Sequence, residues 1–343
     1  MNKRTRYFTV GSLAIVTVGL CTGLVAFYNG GRPNLSASQG PSELAYLPAD
    51  ATAVAFANVN DVMNSQFRQK LTEAMPTGEG RDKFMEETGI DIERDIDTVV
   101  ASMSADEKDG VILVRGRFNV SQIESLVRRN GGDVEDYKGV RVVTGPPATS
   151  SRRMDGAGGE VPRDGVNVNI DHDGTVAFLE AGLIALGDTA SVKRAIDAKE
   201  SGNNVRNNDK LMAYVNDIRA GQSAWAVGRF DAVQKTTEIP DQIKQHMPEV
   251  KWFSVMAHVN GGVSGTLRAD TTDDLAAENL RDVIRGGLAM GRLVSGQDEK
   301  IKILLDSLQM SGTGTTVALT FSVSSEMVDV LAGLAKLADA SKN

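Results

Sequence analysis

The first constraint on this chain is an uncharged, mostly apolar run close to its N-terminus. Residues 8–28 contain no charged side chain, and Lys3, Arg4 and Arg6 precede them. A helix of about 20 apolar residues, rising about 1.5 Å per residue, matches the ~30 Å hydrocarbon core of a bilayer. We therefore predict a basic cytoplasmic segment at 1–7, followed by a transmembrane helix or signal anchor at 8–28.

Two other interpretations of this segment compete with the anchor. A cleaved secretory signal usually has a shorter apolar stretch, although Ser36-Ala37-Ser38 offers a late cleavage site. Lipidation of Cys21 would need a small residue just before it, where this chain has Leu20. The length of the apolar run favours an anchor that is retained.

The distribution of charge around the run predicts the orientation of the chain. Lys and Arg are retained on the cytoplasmic side, and only Arg32 follows the run before the acidic residues Glu43 and Asp50. The N-terminus is then inside, and the main domain lies in the periplasm or the extracellular space. The only cysteine lies within the run, which suits an oxidising compartment. The sequence predicts a single-pass protein of the inner (cytoplasmic) membrane.

Composition predicts how the rest of the chain is organised. Residues 29–43 are rich in Gly, Ser, Pro and Asn, as expected for a flexible linker. About 300 residues follow, more than one hydrophobic core usually organises. We predict two extracytoplasmic α+β lobes, 44–205 and 206–343, the first with a disordered insertion at 145–165. The net charge of −8 and the absence of a basic patch argue against nucleic acid as a partner.

A recurring strand-to-helix junction indicates an internal repeat. The clearest copies are 116–122 (GRFNVSQ) and 228–234 (GRFDAVQ), in which Asn119 or Asp231 is placed as an N-cap with a glutamine three residues later. Looser copies follow the strands at 54–59, 183–187 and 265–269, with Asn60-Asp61, Asp188 and Asp270 as the expected caps. These junctions predict a duplicated α+β unit.

Alternating apolar patterns and turn residues predict antiparallel hairpins. They join 166–171 to 175–186 through a turn at 171–174, and 255–259 to 263–269 through a turn at 260–262. A further strand is predicted at 315–323. It is followed by a helical apolar stripe of Met327, Val330, Leu331, Leu334, Leu337 and Ala338. The predicted fold class is α+β, with two lobes of antiparallel sheet packed with helices after one N-terminal transmembrane helix.

Three segments resemble a known group of proteins. They are 46–51 (YLPADA), 88–97 (TGIDIERDID) and 183–188 (LIALGD), and they are similar to a loose group of uncharacterised, N-terminally anchored bacterial envelope proteins. The resemblance covers most of 44–202 and fades after that. Its motifs are strand entries and helix caps. It implies the envelope location and the α+β unit, and it supplies no catalytic residue.

Side chains that could carry catalysis or bind a metal are few and scattered. His172, His246 and His258 have no second histidine or cysteine at metal-ligand spacing. No cysteine in the predicted exported part could serve as a nucleophile. Ser264 lacks the spacing of a nucleophile elbow, so we interpret it as a turn residue.

Loops that could hold phosphate or a cation are equally weak. The glycines at 78–80 and 312–314 lack the Lys-Ser/Thr ending of a phosphate loop and are read as turns. The sequence 171–174 (DHDG) resembles the start of a calcium loop, but Gly182 stands where the bidentate Glu is needed. Alternating acidic residues at 91–97 are interpreted as a solvated connector. We assign no catalytic, cofactor-binding or metal-binding residue, and we predict that the protein is not an enzyme.

Two features suggest binding instead of chemistry. A helix predicted at 273–294 would bury Leu275, Leu280, Val283, Ile284 and Leu288, and its Gly287 and Gly291 permit a close helix approach. Trp225 and Trp252 are candidates to line a pocket between the lobes, although core positions are the commoner use of tryptophan.

Three functional classes follow from these observations. The first is a membrane-tethered interaction or structural module that binds another envelope protein through a sheet edge or a groove. The second is a carrier or sensor of a small ligand, which needs an apolar pocket. The third is an enzyme without a recognisable motif. The sequence favours the first class.

Overall fold

A computed structural model describes residues 40–66, 68–69, 85, 88–104, 110–145, 174–218, 220–231, 248–259, 261–295 and 299–327. The predicted span at 8–28, the linker up to residue 39 and most of the predicted insertion at 145–165 lie outside these residues. Among the residues described, no helix has the length and apolar character needed to cross a membrane.

Twelve strands form one antiparallel sheet. Along the chain they are β1 Ala53–Asn58, β2 Ile96–Met103, β3 Gly110–Gly116, β4 Asp133–Tyr137, β5 Val140–Thr144, β6 Gly174–Glu180, β7 Leu183–Asp188, β8 Ala224–Arg229, β9 Val250–Val259, β10 Gly262–Thr271, β11 Gln309–Ser311 and β12 Thr316–Ser324. The helices are α1 Val59–Met63, α2 Ile92–Asp95, α3 Val120–Arg129, α4 Thr189–Ser201, α5 Asp209–Asn216, α6 Asp274–Ser295 and α7 Glu299–Asp306. Short 3₁₀ helices cover Ser42–Tyr46, Val205–Asn207 and Ser325–Met327. The α+β class with a large antiparallel sheet and several helices is thereby confirmed.

The order of the strands follows the same rule in both halves of the sheet. The order is β11-β12-β10-β9-β8-β1-β2-β3-β7-β6-β5-β4. Counted outward from the central β1–β8 pair, one half runs β1, β2, β3, then its last strand β7, then β6, β5 and β4. The other half runs β8, β9, β10, then its last strand β12, then β11. The β1–β8 pairing joins the strands of 44–205 to those of 206–343 without interruption. The division into two lobes and the duplication remain predictions.

One face of the sheet, called face 1, carries the largest buried cluster. Val54, Phe56, Val100, Leu113 and Val227 project from it and are almost fully buried. The 3₁₀ helix at 42–46 and the helices α4 and α5 supply the other side of this core. The hydrophobic effect stabilises such contacts by about 25 cal/mol for each Å² of apolar surface removed from water.

The opposite face of the sheet, face 2, carries two smaller clusters. The first cluster lies on β2, β3 and β7, through Val99, Val114 and Ile184. These residues pack against Val59 of α1 and Ile123 of α3. The second lies near the other edge of the sheet. Its buried residues are Val62, Val259, Val263, Phe321, Val323 and Met327, with the partly buried Leu304 and Leu308 against them. Helices therefore lie on both faces of the sheet.

Two of the predicted helix caps are confirmed, and two lie elsewhere. Asn119 accepts a bond from Gln122 N (3.1 Å), and Asp188 accepts one from Ser191 N (2.9 Å). For α1 the cap is Asn58, not Asn60-Asp61, because the strand ends one residue earlier than predicted and the helix begins directly at Val59. Asp270 lies within β10, and Asp273 caps α6 by accepting from Ala276 N (2.8 Å). The helix predicted after Asp231 lies outside the described residues.

The hairpins also differ in part from the prediction. The expected strand at 175–186 is two strands, β6 and β7, because Gly182 adopts a positive φ of 72° and turns the chain between them. The strand at 166–171 and its turn as far as residue 173 lie outside the described residues. The pairing of β9 with β10 and the position of β12 are as predicted. Ser264 is not a turn residue, because it lies inside β10.

The long helix α6 confirms the predicted helix at 273–294, but it buries less than expected. Leu275 is 72% exposed and Val283 is also exposed, whereas the other three predicted core residues are half-buried. The apolar side of α6 is wider than its contact with the sheet, so part of it faces solvent. The close approach permitted by Gly291 does occur, against Leu305 of α7.

Candidate interaction surface

The two ends of face 1 differ in chemistry. On β1–β3 and β5–β7 it carries mainly apolar side chains, which are buried in the largest hydrophobic cluster. On β10 and β12 the same face carries Ser264, Thr266, Thr320 and Ser322, a set we call the open sheet surface. Three of these side chains are exposed, and Thr266 is half-buried. Antiparallel sheets commonly have one solvated face, but here the change from covered to open occurs within a single sheet.

The helical layer of face 1 ends at an aromatic pair. Tyr214 of α5 stacks on Trp252 of β9, with ring centroids 5.0 Å apart and an interplanar angle of 18°. The guanidinium carbon of Arg268 lies 5.9 Å from the centroid of the Tyr214 ring. Arg268 also forms an ion pair of 2.6 Å with Asp217, just after α5. Stacked aromatic rings and a cation over one of them attract each other through the ring quadrupole.

A carboxylate completes this group of side chains. Asp270 accepts a hydrogen bond from Thr316 Oγ1 (2.5 Å) and a longer one from Arg268 Nε (3.4 Å), both through its Oδ1 atom. Its Oδ2 atom is buried. Burial raises the pKa of Tyr214 to about 12, and a hydrogen bond to Asp270 and the negative charge of that carboxylate act in the same direction. The phenol stays protonated at physiological pH and keeps its O–H donor. We call Tyr214, Asp217, Trp252, Arg268 and Asp270 the border cluster.

The two tryptophans have different roles. Trp225 is buried in the face 1 core and stacks on Phe56, with centroids 5.6 Å apart. Trp252 is half-buried beside the open sheet surface, and Met256 lies partly buried on the same face of β9. Neither tryptophan lines the cleft at the end of the β2–β3 hairpin.

That cleft lies at the end of the β2–β3 hairpin and has a volume of about 240 Å³, including space open to solvent. Ser102, Ser104, Gly110, Ser191 and Arg194 are among the residues that line it. All of the residues that line it belong to 44–205, so this cleft does not lie between the two predicted lobes.

The side chains considered for chemistry are held in ordinary structural contacts. His258 Nδ1 lies 3.0 Å from the carbonyl oxygen of Gly221, whereas His172 and His246 lie outside the described residues. The acidic string at 91–97 is paired with arginines, for example Arg94 with Asp91 at 3.0 Å. The described residues contain no group of three or more His, Cys, Asp or Glu able to hold a metal ion.

Both edges of the sheet are poor templates for an added strand. The edge strand β4 has the sequence DVEDY and exposes Asp133, Glu135 and Asp136. The opposite edge strand, β11, has only three residues. Short or charged edge strands discourage pairing with another chain. β11 pairs only with 318–320 of β12, so the rest of β12 has no strand partner on that side among the described residues.

Comparison with known proteins gives only distant similarity. No protein-family model matches the sequence, and no curated protein matches it either. Among solved structures, crystal form I of TP0453 is similar with a TM-score of 0.46 and 9% sequence identity, over 86% of this chain and 98% of that one. Crystal form IV of TP0453 gives a TM-score of 0.45 and 10% identity, over 86% and 97%. These values are too low to assign a family or a function.

Sequence reasoning selected Trp252 but missed its neighbours. Tyr214 and Arg268 come from separate elements that only the fold brings together. One signal was present: Ser264, Thr266 and Arg268 alternate along β10, as polar residues do on a solvated strand face. Read together with Thr320 and Ser322, it would have predicted an uncovered end of the sheet.

Proposed function

We propose that this protein is a membrane-anchored extracytoplasmic interaction module, which binds another protein of the cell envelope through the open sheet surface and the border cluster. The observation that carries the proposal is the uncovered end of face 1. On β1–β3 and β5–β8 most of that face is buried in the largest hydrophobic cluster, whereas β10 and β12 present polar side chains next to a half-buried aromatic pair. The proposal assigns no catalytic residue and no cofactor.

The composition of the surface suits a protein partner. Trp, Tyr, Met and Arg are enriched in protein interfaces, and Trp, Tyr and Arg dominate their hot spots. Trp252, Tyr214, Met256 and Arg268 supply all four types at the border of the open surface. The serines and threonines of the strands would form the polar rim that such interfaces have.

The predicted anchor limits where the partner can lie. A flexible linker of the length predicted at 29–43 has a root-mean-square reach of roughly 20 Å. The domain would remain close to the membrane surface, and tethering would raise the local concentration of any partner that is also held there. The partner is thus expected to be an envelope protein at the same membrane.

Site-specific photocrosslinking in the native envelope tests the proposal. A photoreactive amino acid at Thr320 lies on the open sheet surface, and the matched control at Ser125 lies on the exposed side of α3. We expect one discrete crosslinked protein from Thr320 and none from Ser125. Crosslinks of equal yield at both positions, or none at Thr320, would exclude the open sheet surface as the interface.

A substitution in the border cluster measures its contribution. Arg268→Ala should weaken binding of the captured partner by about 2 kcal/mol, or roughly 30-fold, as hot-spot residues do. Arg268→Lys should recover only part of this loss, because an ammonium does not reproduce the planar fork of Arg. An unchanged affinity in both variants, measured on folded protein, would remove the border cluster from the interface.

A further inference from the structure

The C-terminal end of α3 is exposed and lightly held. Of the residues of this helix, Ile123 alone is buried. Arg128, Arg129, Asn130 and Gly131 are all exposed, so the last turn is held chiefly by its own backbone hydrogen bonds. A helix end of this kind opens at little cost in free energy, as fraying termini do.

An Asn-Gly pair lies at this end. Asn130 is the residue that ends α3, and Gly131 follows it in the left-handed region at a φ of 84°. The N–H of Gly131 donates to the carbonyl oxygen of Arg128 (3.1 Å), and the N–H of Asn130 donates to that of Leu126 (3.2 Å). A Cβ placed on Gly131 would meet no atom within 4 Å, so the space around this residue is open.

We propose that Asn130 is a site of spontaneous deamidation, in which the backbone nitrogen of Gly131 is the nucleophile and water is the only co-reactant. The nitrogen loses its proton to solvent and bonds to Cγ of Asn130, the Cγ–Nδ2 bond breaks, and the side-chain amide leaves as ammonia. Water then opens the cyclic imide at either of its carbonyl carbons. The products are aspartate, or isoaspartate when the main chain continues through the former side chain. Glycine favours the attack because a Cβ at that position would crowd the nitrogen.

The fold sets the rate of this reaction. The hydrogen bond from Gly131 N to Arg128 O must open before the nitrogen can reach Cγ, so the folded protein reacts more slowly than an unfolded chain. It still reacts, because this bond belongs to the exposed last turn. Asn216 is an internal comparison, since it is also exposed at the end of a helix, α5, but is followed by Asp217, whose Cβ hinders the same attack.

Deamidation changes the junction between α3 and the edge strand β4. A carboxylate at residue 130 lies at the helix C-terminus, where the macrodipole is negative, so it weakens the last turn. Isoaspartate also lengthens the main chain just before Gly132, whose N–H donates to Val127 O (2.9 Å). Gly132 is closely packed, because a Cβ there would collide with the carbonyl oxygen of Thr144. Isoaspartate is therefore expected to break the bond to Val127 and to loosen the start of β4.

Incubation of the full-length protein in detergent and heavy-oxygen water tests the proposal. Mass spectrometry of tryptic peptides should show conversion at Asn130 with heavy oxygen incorporated, and electron-transfer fragmentation separates aspartate from isoaspartate. Conversion should be roughly tenfold or more faster at Asn130 than at Asn216, because the glycine lacks a Cβ. It should also be faster at mildly alkaline than at neutral pH, because the attacking nitrogen must lose its proton. Asn29 and Asn260 also precede glycines, but they lie outside the described residues and fall in separate peptides.

Gly131→Ala is the matched variant. The left-handed φ strains the alanine and opens the last turn more often, which by itself would speed the reaction. Slower conversion of Asn130 in this variant is therefore due to the added Cβ. The proposal is overturned if Asn130 stays intact in the folded protein while the urea-unfolded protein is converted, if Asn216 reacts as fast as Asn130, or if Gly131→Ala does not slow the reaction.

Discussion

A buried ion pair fastens the first described element of the chain to the sheet. Glu43 is only 3% exposed in the 3₁₀ helix that follows the predicted linker, and it pairs with Arg115 of β3. Arg115 also bonds Glu180 at 2.9 Å, and Tyr46 donates to the same carboxylate at 3.4 Å. Replacing Glu43 by Gln removes its charge and keeps its shape.

The structure sets the expected cost of this change. Breaking a fully buried ion pair costs about 3–5 kcal/mol, whereas an exposed pair contributes about 0–1 kcal/mol. The Arg115 side chain is 25% exposed and keeps Glu180, so water and a second carboxylate offset part of the loss. We expect Glu43→Gln to lower the free energy of unfolding by about 2 kcal/mol, between those two limits.

Urea unfolding at pH 7 and low ionic strength is the suitable assay, because guanidinium salts screen ion pairs. Trp225 and Trp252 provide the fluorescence signal. The control is Glu135→Gln, which removes an exposed partner of Lys193 and should change the free energy by less than about 0.5 kcal/mol. Equal effects of the two substitutions would refute the claim that burial of Glu43 sets the cost.

Two further predictions concern single side chains and pH. Asp188→Ala should destabilise the protein by about 1 kcal/mol through loss of the α4 cap, and Asp188→Asn by less, since an amide oxygen can still accept from Ser191. Burial raises the pKa of Asp188, but the bonds from Ser191 outweigh it and lower the pKa below 3.8, so the charged cap stabilises above that pH and is lost in acid. Burial and Asp270 raise the pKa of Tyr214 to about 12, so its contribution holds below pH 10 and disappears between pH 10 and 12. Between pH 10 and 12, the urea midpoint of the Tyr214→Phe variant should fall less steeply with pH than that of the unchanged protein. Equal slopes for the two proteins would contradict the raised pKa of Tyr214.

Local chemistry explains which elements the sequence could predict. The caps at Asn119 and Asp188 depend on a side chain and a backbone N–H three residues apart, so neighbouring residues determine them. The β9–β10 hairpin likewise depends on the glycines at its turn. Such features need no information about the rest of the chain.

The sequence did not predict the features that depend on contacts between residues far apart in the chain. The sequence of 175–186 predicts one continuous strand, because apolar residues lie on both sides of Gly182 and their pattern does not indicate the turn there. The exposure of Leu275 depends on how much of α6 the sheet can cover, which periodicity alone does not determine. The β1–β8 pairing, which makes one sheet of both halves, leaves no repeating pattern in the sequence.

The candidate surface was predictable only in fragments. Trp252 attracted notice because aromatic residues are rare in this chain. Tyr214 of α5, Trp252 of β9 and Arg268 of β10 come into contact only in the folded protein. No spacing of residues in the sequence predicts that contact. The exposure of face 1 on β10 and β12 depends on which strands the described helices cover, and the pattern of a single strand does not reveal that.

The central position of β1 has a consequence for how the protein is made. β1 is the first of the described strands to be synthesised, yet one of its two neighbours, β8, follows only after six further strands, β2–β7, and the helices between them. Until residues 224–229 have been synthesised, Val54 and Phe56 lie on a strand with one unpaired edge. Unpaired strands with buried-type side chains invite aggregation in a crowded compartment. We expect a chain stalled before β8 to require a chaperone or to be degraded, whereas one stalled just after β9 should already be protected.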